Sequence, residues 1–412
     1  MSPKKVELVA PAGDMEKLKT ALLYGADAVY ASTPLFSMRT REIGFTLDTL
    51  RDGINYTHNL NKKIYITLNT FPHALEIKAW KAHAKKIIAL GPDALIVADP
   101  GLLDYLKSVT SIPIHLSTQA NTTNQLAAQF WEKQQVKRIV LARELNLKDI
   151  KLITKNSKIK FETFVHGAMC MSYSGRCQIS NYFIGRDPNK GECIQPCRFK
   201  YKVYALEEEM RPQEFFPITE TEEGTYIFNS KDLCMIKHIP ELIKAGISAF
   251  KIEGRMKSSY YVGSVTRVYR QAIDEYFKDA KQYNKNGQKY FYEIQKINNR
   301  GFTTGFYFEK PNQNTNNYLT SKEISDYSYI GMVKNYDNKT KILAFEVKNY
   351  LPAGSILEIL LPNMIVKHKL SKIVYKNKII KAAHANYMLN IKTEAQIPVG
   401  TLIRIKSPKI KS

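Results

Sequence analysis

Cysteine is scarce in this 412-residue chain, acidic residues are few beside basic ones, and long apolar runs are missing. Each shortage excludes something. Five cysteines are too few to cross-link a chain of this size. In a reducing compartment such thiols point to metal or redox use before disulfides. No stretch reaches the roughly 18 apolar residues that a membrane span requires, so the expectation is a soluble, cytoplasmic protein with no membrane partner. The opening Met1-Ser2-Pro3-Lys4-Lys5-Val6-Glu7-Leu8-Val9 has no long apolar core and no cleavage signature, and reads as a first strand. There is no His-Glu-x-x-His and no Gly-x-Ser-x-Gly, which leaves metallopeptidase and serine-hydrolase chemistry without its machinery. No Gly-x-Gly-x-x-Gly follows the first strand, which counts against a dinucleotide-binding open sheet.

What is abundant is positive charge. Lys and Arg total 61 against 38 Asp and Glu, a formal net charge of +23. That balance favours a polyanionic partner, nucleic acid first. Apolar residues make up 44% of the chain, enough for a sizeable core.

Short apolar, β-branched runs alternate with amphipathic stretches through the first two-thirds. Strands are expected at Val6–Ala10, Ala28–Ala31, Ile64–Leu68, Ala94–Ala98, Ile112–Leu116, Arg138–Ala142, Phe161–Val165 and Ala249–Ile252. Helical patterns fall between them, at Met15–Tyr24, Leu75–Leu90, Asn121–Trp131 and Ser258–Phe277. Nearly continuous apolar strands in β-α order predict an α/β fold, a (β/α)8 TIM-barrel-like domain. An open doubly wound sheet is the alternative. After Val165 the rhythm breaks for a long excursion until Ile236–Ala245, which reads as a helix with Cys234 at its start. From about Tyr327 short strands alternate with turns at Asn335–Asn338, Pro352-Ala353-Gly354 and Pro398-Val399-Gly400, the pattern of a small all-β barrel. That tail carries 15 Lys and Arg against 4 Asp and Glu. The expected organisation is a barrel over residues 1–310 with a cysteine-bearing insertion at about 167–235. A linker at 311–326 and a basic C-terminal β-barrel domain at 327–412 follow. Lys281–Lys289 and Asn312–Asn317 read as solvated loops.

Four of the cysteines fall in the excursion, spaced Cys170-x6-Cys177-x15-Cys193-x3-Cys197. Four soft thiolates in one irregular segment can hold a tetrahedral zinc or an iron–sulfur cubane. Neither short spacing is the x2 of a zinc knuckle, which favours iron–sulfur; four unligated thiols are the bland alternative. Gly167, Gly175 and Gly191 flank the ligands and could turn backbone amides toward cluster sulfurs. Cys234 reads as an ordinary core thiol.

The run Glu162-Thr163-Phe164-Val165-His166-Gly167-Ala168-Met169-Cys170, continuing through Ser174-Gly175-Arg176-Cys177-Gln178-Ile179-Ser180, resembles the signature of peptidase family U-32, the collagenase-like proteins. Leu8-Val9-Ala10-Pro11-Ala12-Gly13, Gly25-Ala26-Asp27-Ala28-Val29-Tyr30, Phe36-Ser37-Met38-Arg39, His115-Leu116-Ser117-Thr118-Gln119, Gln195-Pro196-Cys197-Arg198 and Lys251-Ile252-Glu253-Gly254-Arg255 are similar to further motifs of that family. The resemblance covers roughly residues 6–310, and the tail is similar to the family's C-terminal β domain. One departure is Ala31-Ser32-Thr33-Pro34, where many members have a glycine-rich turn. The resemblance implies a 4Fe-4S cluster on Cys170, Cys177, Cys193 and Cys197. It also implies hydroxylation of a nucleobase or quinone without molecular oxygen. Members of this length with one C-terminal β domain convert the wobble uridine of tRNA to 5-hydroxyuridine with prephenate as co-substrate. The implied partners are the tRNA anticodon loop, prephenate, and cluster-assembly and electron-donor proteins. Hydroxylation of ribosomal RNA, a collagenase-like peptidase and a non-catalytic RNA-binding factor with a structural metal are the alternatives.

Barrel active sites lie at the C-terminal strand ends. Here those ends carry Ser32, Asn69, Asp99, Ser117-Thr118-Gln119, Arg143-Glu144, His166 and Glu253-Gly254-Arg255, with Arg39 shortly after the second strand. His166 and Glu253 are the catalytic candidates. Arg39, Asn69, Gln119, Arg143 and Arg255 are the substrate-binding candidates. The arginines suit the two carboxylates that the resemblance implies, because guanidinium meets carboxylate through a bidentate fork. Two structural alternatives stand beside these roles. Ser117 to Gln119 could cap a helix near Asn121, and the arginines could pair with Glu144 or Glu253. His166 could serve the cluster, shuttle protons or simply fill the core.

Overall fold

A computed structural model of the chain describes residues 5–37, 44–155, 157–170, 172–174, 176–188, 192–199, 207–208, 211–215, 220–221, 224–225, 230–309, 315 and 323–407. Arg39, Gly175, Gly191 and all of Asn312–Asn317 except Thr315 lie outside the described residues.

The alternating apolar runs form strands β1 (Glu7–Pro11), β2 (Ala28–Ala31), β3 (Lys63–Leu68), β4 (Ala94–Val97), β5 (Ile114–Leu116), β6 (Arg138–Val140) and β7 (Lys160–Ala168). A short β8 (Asp232–Cys234) precedes β9 (Ala249–Ile252). Strands β1 to β7 and β9 pair in parallel, and β9 bonds both β1 and β7, so eight parallel strands close into a barrel. Strand β8 lies antiparallel to β7 outside that ring, with Cys234 opposite His166. Cys234 is therefore buried on a strand and not at a helix start. The pairing explains it, since the Met235 amide still bonds the Val165 carbonyl at 2.9 Å and the helix begins only at Ile239.

The helices include α1 (Met15–Leu23), α3 (Ile77–Ile88), α6 (Leu147–Lys155) and α8 (Ile239–Lys244), and others begin where the local chemistry allows. Thr46 caps α2 (Leu47–Asn59). Asp99 accepts from the Gly101 and Leu102 amides to start α4 (Pro100–Val109), with Pro100 in its first turn. Asn124 caps α5 (Gln125–Lys133). Each oxygen satisfies amide donors that a helix start leaves without intrahelical partners.

The chain divides into two compact units: residues 1–15, 27–256 and 299–323 in one, and 16–26, 257–298 and 324–412 in the other. All barrel strands belong to the first. The second contains α9 (Ser259–Lys278), α10 (Ala280–Gln295) and a six-stranded antiparallel half-barrel. Lys281–Lys289 lies inside α10, not in a loop. Asp279 caps that helix, and Tyr283, Gly287, Tyr290 and Ile294 recur at helical spacing and are buried, so only its polar face meets solvent.

In the half-barrel, strand Tyr327–Asp337 runs through most of the expected turn, which falls after Asp337. Its core includes Val333, Phe345, Leu357, Ile359 and Ile403. Tyr24 is built into this unit: its hydroxyl donates to the Leu360 carbonyl at 2.6 Å and accepts from the Leu402 amide at 2.9 Å. Gly25 beside it has φ +93°, and a Cβ there would lie 2.6 Å from Cγ of Arg270. Arg404, 1% exposed, is held by Glu293 and Glu358 at 2.8 Å each.

Candidate active site

The upper barrel interior opens as a cleft of about 500 Å³, counting its open mouth. Asn69, Gln119, Arg143, Glu253 and Arg255 all line it, so the structure gathers five of the expected site residues at one place. They arrive from the ends of β3, β5, β6 and β9, which parallel closure brings to one rim. His166 does not join them. Its side chain is 2% exposed and its ring stands 5.7 Å from that of Phe302. Its backbone carbonyl accepts from the Glu253 amide at 2.8 Å, which fixes where β9 delivers Glu253. Asp99 is spent as a helix cap.

Ser117 and Gln119 do not cap α5, which starts at Gln125 under Asn124, and Ser117 makes no side-chain capping bond to the short 3-10 turn Thr118–Ala120 that it precedes. Asn69 Nδ2 donates to Ser117 Oγ at 3.0 Å and to Gln119 Oε1 at 3.1 Å, and Ser117 also donates to Gln119. All three are buried. This amide–hydroxyl cluster fixes one wall of the cleft in orientation.

The cations are also buried. Arg255 donates to Ser37 Oγ and Thr67 Oγ1, each at 2.9 Å. Arg143, 7% exposed, donates to the Ala168 carbonyl at 3.0 Å and to Ser174 Oγ at 2.8 Å, and lies 4.8 Å from the Phe164 ring centre. Among the described residues Arg143 makes no ion pair with Glu144. The Glu144 carboxyl is raised by burial, which the nearby Arg143 charge only partly offsets. Sequence reasoning missed a third cation. Lys251 Nζ faces the Tyr30 ring at 4.4 Å and bonds Glu162 Oε1 at 2.7 Å. Burial pulls its ammonium down, and Glu162 holds it up only in part.

Lys251 is the top of a charged column inside the barrel. Glu162 also pairs with Arg138 at 2.9 Å, Arg138 pairs with Glu7 at 2.7 Å, and Tyr65 donates to Glu7 at 2.6 Å. Burial alone would raise the Glu7 carboxyl, but the Arg138 hydrogen bond and charge bring it down to about 2. Glu162 is lowered likewise, with Lys251 and Arg138 overcoming burial. Burial lowers His115 beside them to about 3, so it is neutral at physiological pH. The signal was in the sequence: Glu162, Arg138 and Lys251 sit within strands expected to be buried. A charge there requires a partner in the lumen.

The cysteine segment leaves the barrel at the top of β7. Cys170 comes two residues after its last residue, and Cys177 precedes α7 (Ile179–Ile184). Cys197 sits in the turn Pro196–Arg198. Ser180, fully buried, accepts from the Ile194 amide at 3.3 Å and approaches Cys193 Sγ at 3.8 Å. The Gln195 amide points at Cys193 Sγ from 3.4 Å. Arg198 Nη2 bonds the Met169 carbonyl at 3.2 Å, which ties the Cys197 turn back beside Cys170. Burial pushes the Cys197 thiol up; Arg198 opposes this, and Cys170, Cys193 and Cys177 push it further. The four sulfurs thus share one electrostatic neighbourhood. Among the described residues no three His, Cys, Asp or Glu side chains are arranged to hold a metal ion.

A closed (β/α)8 barrel with a polar cleft at its C-terminal rim and a cysteine-bearing segment beside it is a barrel of enzyme type. The chain belongs to peptidase family U32: residues 13–317 match Peptidase family U32 and residues 325–404 its C-terminal domain. It is 37% identical over 397 residues to tRNA hydroxylation protein P of Escherichia coli (strain K12), covering 87% of this chain and 86% of that protein. It is 45% identical over 338 residues to tRNA hydroxylation protein P of Helicobacter pylori (strain ATCC 700392 / 26695), covering 80% and 78%. The 23S rRNA 5-hydroxycytidine C2501 synthase of Escherichia coli (strain K12) matches at 35% over 274 residues, covering 66% of this chain and 40% of that protein. No helix among the described residues is long and apolar enough to cross a membrane.

Proposed function

We propose that this protein hydroxylates RNA, and that its substrate is the wobble uridine of tRNA, converted to 5-hydroxyuridine with prephenate as co-substrate and without molecular oxygen. The observation that carries this reading is the position of Arg143. One buried guanidinium lines the cleft and bonds both Ala168 and Ser174, the residues on either side of Cys170. In this reading cleft and cysteine segment form one site. The relatives named for tRNA hydroxylation match along 86% and 78% of their length, whereas the ribosomal-RNA synthase matches along 40%; this favours tRNA over ribosomal RNA.

In this reading Cys170, Cys177, Cys193 and Cys197 hold a 4Fe-4S cluster. The donor set suits it in kind: four thiols in one segment and an amide directed at one of them. When bound, the cluster supplies redox or Lewis-acid chemistry. The protein's own residues bind and orient. Arg143, Arg255 and Lys251 give the cleft three cations for a dicarboxylate, with Arg39 as a fourth candidate. The Asn69–Ser117–Gln119 cluster presents fixed polar atoms to a base or to the co-substrate. Glu253 is the carboxylate at the rim that can take or return a proton. An anticodon loop offers an unstacked base that needs little further opening.

The test is nucleoside mass spectrometry of tRNA and ribosomal RNA from a strain lacking the gene. Loss of 5-hydroxyuridine from tRNA, restored by the wild-type gene, is expected. Unchanged tRNA with loss of a hydroxylated ribosomal nucleoside would overturn the choice of substrate. No change in either would overturn the hydroxylation reading.

A further inference from the structure

The 35 residues between Glu358 and Glu394 contain no Asp or Glu and seven lysines: Lys367, Lys369, Lys372, Lys376, Lys378, Lys381 and Lys392. Elsewhere in the half-barrel, two lysines share one carboxylate. Lys334 and Lys348 both pair with Glu346, at 3.3 and 2.7 Å. Among the described residues Lys372, Lys376, Lys378 and Lys381 have no carboxylate partner, and all four are exposed.

Beside these lysines lies a continuous aromatic run, three of whose four rings fall within the acid-free stretch. The pairing of Leu351 with Ala383 sets Tyr350 across from His384, and their rings stand 5.6 Å apart. His384 lies 6.1 Å from Tyr387, which stacks on Tyr375 at 4.0 Å and an interplanar angle of 11°. Lys376 Nζ closes the run, 5.5 Å from the Tyr375 ring centre. Tyr375 and Tyr387 pack on the core of the half-barrel, which anchors the run. Tyr350 is 55% exposed, and His384 is exposed too. The hairpin Ile373–Ile380 turns at Lys376-Asn377, both with positive φ, 48° and 61°. Stereochemistry favours Asn-Gly at such a tip, yet the tip carries a lysine.

Rings to stack on and unpaired cations beside them are the chemistry that recognises RNA with unpaired bases. Stacking tolerates any base, and lysines follow the phosphates. An acidic protein would satisfy the cations and leave the rings without a role. We infer that the Tyr350–His384–Tyr387–Tyr375 run with Lys372, Lys376, Lys378 and Lys381 is a docking surface for an unpaired segment of RNA. This inference rests on the RNA reading above and assigns the part of the protein that holds the nucleic acid.

The experiment measures binding of the full chain to fluorescein-labelled total tRNA and oligo(U) across a salt series. The triple variant Lys376→Ala/Lys378→Ala/Lys381→Ala is expected to lower the salt slope by about 2 to 3, one counterion release per lost phosphate contact. Tyr350→Ala and His384→Ala are expected to weaken binding about five-fold or more with the slope unchanged, as loss of one stacked base does. Wild-type affinity and slope in all variants would overturn the surface. So would lysine-dependent binding to phosphatidylserine vesicles without any effect on tRNA. Nucleoside analysis separates the two readings. Variants that bind tRNA normally while 5-hydroxyuridine still forms sink the surface alone. Tight, patch-dependent tRNA binding with no hydroxylated nucleoside sinks the enzymatic reading alone.

Discussion

Arg143 donates to the hydroxyl of Ser174 at 2.8 Å, so a guanidinium at the end of β6 holds the loop between Cys170 and Cys177. Both side chains are buried. The bond is charge-assisted and lies where the barrel cleft meets the cysteine segment, so a change on either side should be felt on the other.

Substituting Arg143 should therefore affect both. Arg143→Ala is expected to lower hydroxylation by about 2–5 kcal/mol of lost charge-assisted contact, some 30- to 5,000-fold in turnover. Arg143→Lys should recover part of it, since it keeps the charge and loses the fork. The readout is 5-hydroxyuridine in a complemented deletion strain, with iron content measured in parallel. Normal hydroxylation by both variants would remove Arg143 from the site.

The four cysteines of the excursion should behave as a set. Alanine at Cys170, Cys177, Cys193 or Cys197 should abolish the brown colour and iron of anaerobically purified protein. Wild type should carry about four irons per chain. Cys234→Ala should keep its iron, because Cys234 is buried on β8. Stoichiometric zinc in anaerobic wild-type protein would contradict this.

The charged column predicts a stability effect. Glu162→Gln leaves Arg138 and Lys251 buried against a neutral amide, and should destabilise the fold by about 3–5 kcal/mol. The double variant Glu162→Gln/Lys251→Met should be less destabilised than Glu162→Gln alone, as one stranded charge is gone. Urea denaturation with both variants checks this. Equal stability of Glu162→Gln and wild type would mean that the column bears no load.

Acid should act on the same column. Glu7 is held at about 2 against an ordinary 4.5, so its contribution is complete above about 4.5 and is lost as pH falls toward 2. This is on the order of 3 kcal/mol. His115, held at about 3 against 6.5, acts in the same direction. The unfolded chain takes up its proton first, so stability falls with pH from 6.5 toward 3. Melting temperature should drop from pH 6.5 downward, and Glu7→Gln should flatten the lower part of the curve. A profile for Glu7→Gln that parallels wild type would show that Glu7 does not carry it.

The sequence by itself determined the strands of the barrel and the residues at their ends. Parallel strands buried on both faces must be apolar almost throughout, and that signal is local. It also determined the cysteine set, which is a matter of spacing, and the excess of positive charge. Its errors came where local polarity hides a periodic buried face, as in α10 with Tyr283, Tyr290 and Ile294, or where pairing overrides a helical pattern, as at Cys234. Only the tertiary structure decided which strand-end residues meet. Asn69, Gln119, Arg143, Glu253 and Arg255 share the cleft, whereas His166 lies against Phe302 and Asp99 caps a helix. Barrel closure decided that Glu7 and Arg138, 131 residues apart, form an ion pair. Which face of a strand points inward, and what stands across the lumen, depends on register between distant strands. No window of sequence contains that register.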